Sequence, residues 1–294
     1  MNRPIDRTEG SGRGGSEPGS EPDENAAPAK AADAKAAKGE AGRNAPDDPL
    51  QPPEPPDAES KEDQDLAGRP DTPVPPLEEL RAAMEWAFQG EEIEPAHLDV
   101  FARHARLMLE HNRVVNLTAV IDAREVAAKH YLDSWRVVRL VPLYSKNVLD
   151  LGSGAGFPGL PVAVAAPDAR VVLLDSTQKR VSFLQVALKA LGLKNASAVC
   201  DRAEEHLARN SYDVVLVRAV SSVRENVRLL RKVRHSHKDL VMLKGPSWSR
   251  EVRAGEREAE RLGFKLDTVW EHKLPGEMGA RAILVYRAPG GHGS

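Results

Sequence analysis

Asp150, Gly152, Gly154, Gly156 and Asp175 are the residues of this 294-residue chain whose types and spacing carry chemistry. A short apolar run, Val148 to Leu151, contains Asp150 and leads into three glycines at alternate positions. A second apolar run, Val171 to Leu174, ends on Asp175, twenty-three residues after Gly152. Glycine tolerates positive φ and, lacking a Cβ, leaves room for a ligand against the backbone. A carboxylate at the end of the neighbouring strand accepts charge-assisted hydrogen bonds from ligand hydroxyls. Such a crossover holds a nucleotide-like cofactor at the carboxyl ends of parallel strands. The plain alternative is a tight turn between strand and helix with no ligand.

The loop register decides which cofactor. Gly154, Gly156 and Gly159 satisfy G-x-G-x-x-G, but in the dinucleotide fingerprint the first glycine follows the strand directly. Here the first glycine after the strand is Gly152, and the spacing from it is G-x-G-x-G, followed by Phe157 and Pro158. Pro158 suits a first helical turn, where its missing N–H costs nothing. S-adenosylmethionine has no pyrophosphate to cradle. It needs backbone room for its amino-acid part and a carboxylate for its ribose hydroxyls. The residues fit that cofactor, with a nicotinamide or flavin as the alternative.

The elements that must position these residues follow from hydrophobic periodicity. Strands are expected at 147–151, 170–175, 196–200, 213–218, 239–244, 264–271 and 281–287, and helices at 158–166, 178–191, 221–233 and 249–262. Strands alternating with helices imply a parallel sheet covered on both faces. The last two strands are joined by too short a loop for a helix, so they pair antiparallel. The fold class is α/β: a Rossmann-like, seven-stranded, mostly parallel sheet with helices on both faces, as in S-adenosylmethionine-dependent methyltransferases. Before it, 77–88, 95–111 and 125–140 read as an N-terminal helical cap, the last segment broken near His130.

Composition changes near residue 76. Residues 1–76 hold 14 of the 22 prolines, no Phe, Tyr or Trp, and a net charge of −8, against −3 for the whole chain. Such a segment buries too little apolar surface to offset its chain entropy and is expected to be a disordered acidic tail. It serves as a solubilising extension or as a polyanion mimic. Residues 77–288 form the methyltransferase domain, divided into a cap (77–146) and a Rossmann-like core (147–288), and 289–294 are a disordered end. The domain's positive balance is compatible with a polyanionic partner. One cysteine, Cys200, excludes an intramolecular disulfide and reads as a small core residue. No apolar run reaches the roughly 20 residues of a membrane span, and no signal peptide is visible, so a cytoplasmic protein without a membrane partner is expected.

Further motifs sharpen the reading. Asp175-Ser176-x-x-Lys179-Arg180-x-x-Phe183-Leu184 follows the second strand, and Arg202-Ala203-Glu204-Glu205 the third. Val217-Arg218-Ala219 ends the fourth and Leu243-Lys244-Gly245 the fifth. Asn116-Leu117-Thr118 and His130-x-x-Asp133-Ser134 precede the sheet. In this order they closely resemble the bacterial small-subunit ribosomal RNA guanine-N7 methyltransferases, also called glucose-inhibited division protein B, over roughly residues 77–287. The resemblance implies methyl transfer from S-adenosylmethionine to N7 of one guanine in the 530 loop of 16S rRNA. The partner would be that rRNA, the 30S subunit or an assembly intermediate. It implies that Gly152 and Phe157 contact the cofactor, that Ala203 and Glu204 contact its adenine, and that Arg218 is a cofactor-side or substrate-side group. Arg202, Lys244 and Arg281 match basic positions that would meet RNA, with His130, Lys179 and Arg180 as further candidates. The chain departs from the family's compact Gly-Glu-Arg by reading Gly276-Glu277-Met278-Gly279-Ala280-Arg281, which shifts Glu277 and Arg281 apart by several residues.

The chemistry suits these residues. Guanine N7 carries a lone pair and no proton, so its attack on a sulfonium methyl needs positioning and water exclusion rather than a base. Arg218-Ala219-Val220 stands where an amine-directed enzyme carries Asn/Asp-Pro-Pro-Tyr/Phe, and there is no Pro-Cys pair for a pyrimidine ring. No residue is assigned as catalytic, and no metal site is expected. The run Arg224, Arg228, Arg231, Lys232, Arg234, Lys238 is either RNA contact or a solvated helix face. His235 and His237 read as loop residues. His130 with Asp133 forms a substrate-side pair or a helix cap, and the four tryptophans serve as core or as base-stacking surfaces. A small-molecule or protein methyltransferase and a non-catalytic RNA-binding protein are the competing functions. The oligomeric state is left open.

Overall fold

The computed structural model describes residues 67–289, so the expectations for residues 1–66 and for the last residues of the chain lie outside the described residues. The described residues begin at Ala67, ten residues before the expected boundary. Residues 67–72 form a strap on the end of the second helix. Ala67 bridges to Val115, and the Arg69 N–H donates to the Asn112 carbonyl at 2.7 Å. Thr72 is 2% exposed and takes a hydrogen bond from Asn112 Nδ2 at 3.0 Å. A Pro-rich composition hid this strap, because it is held by backbone and polar contacts rather than by an apolar stripe.

The cap comprises α1 (Leu77–Ala87), α2 (Pro95–His111), α3 (Ala123–Val126), a π-helical turn (Ala127–Leu132), α4 (Asp133–Trp135) and α5 (Val137–Leu140). Leu80, Met84, Phe101, Ala105 and Met108 are fully buried at helical spacing. The expected break near His130 is the π turn itself, a feature that recurs at functional sites.

Among the described residues seven strands form one sheet in the order β3-β2-β1-β4-β5-β7-β6. They are β1 (Asn147–Leu151), β2 (Arg170–Asp175), β3 (Ala196–Cys200), β4 (Tyr212–Arg218), β5 (His237–Lys244), β6 (Lys265–Lys273) and β7 (Ala280–Arg287). The first five pair in parallel, and β7 runs antiparallel between β5 and β6. Strand order reverses between β1 and β4, which puts their carboxyl ends at the topological switch point where such sheets bind ligands.

The linking helices are α6 (Gly159–Ala165), α7 (Gln178–Leu191), α8 (Ala203–Arg209), α9 (Val223–Leu229) with a 3₁₀ turn (Leu230–Lys232), and α10 (Trp248–Arg261). Alternate strand residues face opposite ways. Val148, Leu216, Val241 and Ile283 join one core with α6, α7 and the cap, while Leu149, Val215, Met242 and Leu284 join the other with α9 and α10. The cap therefore shares a continuous core with one face of the sheet.

Four local expectations are corrected. The helix expected over 221–233 runs only from Val223 to Leu229, and Arg231 lies on the 3₁₀ turn that follows. Pro158 caps α6 rather than sitting in its first turn, and its bond to Phe157 is cis. Cys200 is exposed, because β3 is an edge strand whose residues are only partly covered. His237 is no loop residue: it opens β5, 2% exposed, and its ring stacks on Phe264 at 5.9 Å.

Candidate cofactor loop and substrate cleft

The loop after β1 is built by backbone conformation. Gly152, Gly154 and Gly156 have φ of 72°, 56° and 99°, a region that side chains resist. A Cβ on Gly154 would meet nothing within 4 Å, so the loop opens there to free space. Gly159 serves packing instead: a Cβ on it would lie 2.3 Å from Leu173 Cδ2 and 2.7 Å from Asp150. α6 can cross β1 and β2 closely only with glycine there.

Two aspartates tie the loop down. Asp150 is fully buried, and its Oδ2 accepts the Gly159 N–H at 2.9 Å. Its other oxygen, Oδ1, has no partner. Burial pushes its carboxyl up to about 6, against the opposing hydrogen bond from Gly159. Asp175 accepts the Gly154 N–H at 2.9 Å and the Thr177 N–H at 2.9 Å, with Arg180 Nη1 3.8 Å away. Each of its oxygens keeps a second lone pair for a ligand hydroxyl. The residues present thus fit S-adenosylmethionine: positive-φ glycines around open space, with a carboxylate hydrogen-bonded to the loop.

Phe157 is 3% exposed and sits beneath the loop, against His130 (4.8 Å between ring centroids), Tyr131 (5.0 Å) and His104 (5.5 Å). It joins the loop to the cap rather than presenting a surface. His104, on α2, is buried, and desolvation pushes it down to about 3. It is neutral, with Nδ1 2.7 Å from the Tyr131 hydroxyl.

Beside the loop, at the ends of β4 and β5, lies a cleft of about 510 Å³. It brings together Arg218, His130, Lys244 and Arg281 of the sequence candidates, with Lys129, Asp133 and Glu251. Arg218 Nη1 donates to the Lys129 carbonyl at 2.9 Å and to His130 Nδ1 at 3.3 Å, and its guanidinium lies 4.9 Å from the Phe157 ring centroid. Burial lowers Arg218 and the charges of Asp133 and Asp150 oppose this, but an arginine stays protonated. His130 is held well below the ordinary histidine range, first by burial and then by the Arg218 charge, so it is neutral. Ala219, next in the chain, has φ of 55°, a strained conformation on the cleft wall.

The carboxylates of the cleft are paired. Asp133 does not meet His130. It takes its hydrogen bond from His272 Nε2 at 3.1 Å, both side chains being nearly buried. Local spacing carries no sign of this pairing, since the partners lie 139 residues apart. Lys244 is 7% exposed and held by Glu251 at 2.9 Å and by the Ser221 carbonyl. It is therefore a fastener of the cleft wall, not a free phosphate ligand. Arg281 lines the cleft at the start of β7, whereas Glu277 is exposed on the preceding turn.

The remaining candidates lie elsewhere. Ala203 and Glu204 open α8 beyond β3, Glu204 being exposed. Glu204 shares a groove with Arg228, Arg231 and Lys232. Arg202 and Lys179 are exposed, at the starts of α8 and α7, and Arg180 leans towards Asp175. Trp135 is core, and Trp86 carries Arg124 at 5.1 Å. Among the described residues no helix is long and apolar enough to cross a membrane, and no cluster of three metal-ligating side chains forms.

A family described as rRNA small subunit methyltransferase G matches residues 97–277. A ribosomal RNA small subunit methyltransferase G of Carboxydothermus hydrogenoformans is 36% identical over 202 residues, 67% of this chain and 86% of that protein. Proteins of the same name from Desulforamulus reducens and Bacillus subtilis are 37% and 34% identical. They cover 70% and 68% of this chain, and 87% and 86% of their own lengths.

Proposed function

The chain belongs to the rRNA small subunit methyltransferase G family, and from that premise we propose that it methylates N7 of one guanine in the 530 loop of 16S rRNA. The proposed substrate is carried by the 30S subunit or an assembly intermediate, in the cytoplasm. S-adenosylmethionine, when bound, supplies an electrophilic methyl group. Gly152, Gly154 and Gly156 would make room for its amino-acid part and Asp175 would hold its ribose. Ala203 and Glu204 would flank its adenine.

One observation carries the reading of the acceptor. The cleft beside the loop is lined by Arg218 and Arg281, with Lys129 and Lys244 paired to Glu125 and Glu251, while its remaining carboxylate Asp133 is engaged by His272. Such a cleft attracts a polyanion and offers no free carboxylate to take a proton. That suits a nucleophile that has no proton to lose. The protein's part is then to orient the purine, exclude water and bring N7 to within about 3–3.5 Å in line. Arg218 has Nε and Nη2 unused by any described protein acceptor, so it can donate to an acceptor on the base or backbone of the substrate.

The test is to incubate the protein with labelled S-adenosylmethionine and unmodified 30S subunits, then locate N7-methylguanine by borohydride–aniline cleavage. A single cut in the 530 loop is expected. Label elsewhere on rRNA, or only on a small molecule, would replace the acceptor and leave the cofactor loop standing.

A further inference from the structure

Thr118 lies outside the cofactor loop, yet it touches the half of the site that holds Arg218. Its Oγ1 is 2.9 Å from His130 Nε2. The opposite ring nitrogen, Nδ1, faces Arg218 Nη1 at 3.3 Å. Arginine is a donor only, so this contact calls for the lone pair on Nδ1. The Lys129 carbonyl, which takes Arg218 Nη1 at 2.9 Å and also meets the His130 ring, is the competing acceptor for a proton on Nδ1. With the Nδ1 lone pair facing Arg218, a neutral ring carries its proton on Nε2 and donates it to Thr118 Oγ1. Which nitrogen is protonated is fixed by what the other one meets.

Thr118 is itself held from behind. Its N–H and that of Leu117 donate to Asn112 Oδ1 at 3.0 and 2.8 Å, and Val120 N–H donates to Thr118 Oγ1 at 3.0 Å. Asn112, fully buried, donates through Nδ2 to Thr72 on the strap. A hydrogen-bonded chain therefore runs from the strap through Asn112, Thr118 and His130 to Arg218.

We infer that Thr118 is a positioning residue for methyl transfer: its hydroxyl selects the Nε2–H tautomer of His130, which in turn aims the Arg218 guanidinium across the cleft. This deepens the proposed function and rests on reading the cleft as the substrate side. The residue touches neither cofactor loop nor cleft floor, so its effect should appear in turnover rather than in cofactor affinity.

The experiment compares Thr118→Val, which keeps the shape and removes the hydroxyl, with Thr118→Ser, which keeps the hydroxyl. Nitrogen-15 histidine spectra of the unliganded protein report the His130 tautomer without any substrate. The native protein and the serine variant should show Nε2–H, and the valine variant should lose that single state. With the rRNA substrate, kcat of the valine variant should fall roughly 10- to 100-fold, as for a misplaced group. Its KM for S-adenosylmethionine should stay within about twofold, and serine should restore turnover. A native Nδ1–H tautomer, an unchanged tautomer in the valine variant, or unchanged kcat would each overturn the inference. So would a serine variant as slow as the valine one. If native protein methylates no rRNA, the proposed acceptor fails, while the spectra still judge the Thr118–His130 link.

Discussion

The cofactor loop and the substrate cleft share the carboxyl edge of one sheet but are made of different material. The loop is made of backbone: three positive-φ glycines, a fourth glycine for close packing, and two aspartates hydrogen-bonded to main-chain N–H groups. The cleft is made of side chains delivered from distant segments and held in pairs: Arg218 with His130, Asp133 with His272, Lys244 with Glu251. The first kind of site is held by main-chain hydrogen bonds to Asp150 and Asp175. The second is rigid only while each partner remains.

That contrast can be broken at several points. The largest effect is expected at Gly159, where even one methyl group collides with Leu173 and Asp150. Gly159→Ala should lose about 3 kcal/mol in urea denaturation, the upper range for overpacking. Gly154→Val meets open space. It should cost only about 1–2 kcal/mol for the left-handed backbone, yet abolish cofactor binding in calorimetry. Equal stability losses would refute a division of labour within the loop.

Arg218→Met removes the cleft's central donor. Turnover on 30S subunits should fall by roughly 100-fold, the scale of a lost electrostatic donor. Cofactor affinity should change little, and the opposite split would move Arg218 to the loop side. Asp150 gives a pH-dependent test. Its carboxyl is raised to about 6 from an ordinary value of 3.8. The folded state therefore holds the proton more tightly. The stabilising contribution is complete below the unfolded-state value and is lost as pH rises through about 6. Relative to Asp150→Asn, the native protein should lose about 2 kcal/mol of stability between pH 4 and pH 7, measured by denaturant titration. A pH-independent difference would show the carboxyl is not raised.

The smallest effect is a probe. Cys200 is exposed at the end of β3, and its neighbour Asp201 donates its N–H to the Asp175 carbonyl. S-adenosylmethionine should slow alkylation of Cys200 several-fold, followed by mass spectrometry. Full reactivity with cofactor present would place the adenine elsewhere.

The same contrast explains what could be read before the structure. The ranges of β1, β2, β3 and α7 were legible to the residue, because short apolar runs end on Asp, Gly or turn residues. Gly152, Gly154, Gly156 and Asp175 were legible as a set, because their chemistry depends on local spacing. The pairing of Asp133 with His272 was not, since periodicity carries no information about contacts over such separations. Cys200 was misread because an apolar run does not say whether its strand is central or at an edge. The strap at 67–72 was hidden for a related reason: polar residues reveal their partners only in three dimensions.

The π turn at Ala127–Leu132 has a bearing on how this surface tolerates insertion and deletion. A π turn holds one residue more than the α-helix it interrupts, and each helical residue advances about 100° around the axis. Deleting a single residue there would let the segment relax to ordinary α-helix, with the turns on either side kept in phase. What would be lost is the widened turn itself, which carries His130 towards Arg218. Asp133, beyond the turn, would keep its reach to His272. The spare residue therefore sets where His130 stands, and chain length at this point is as constrained as residue identity.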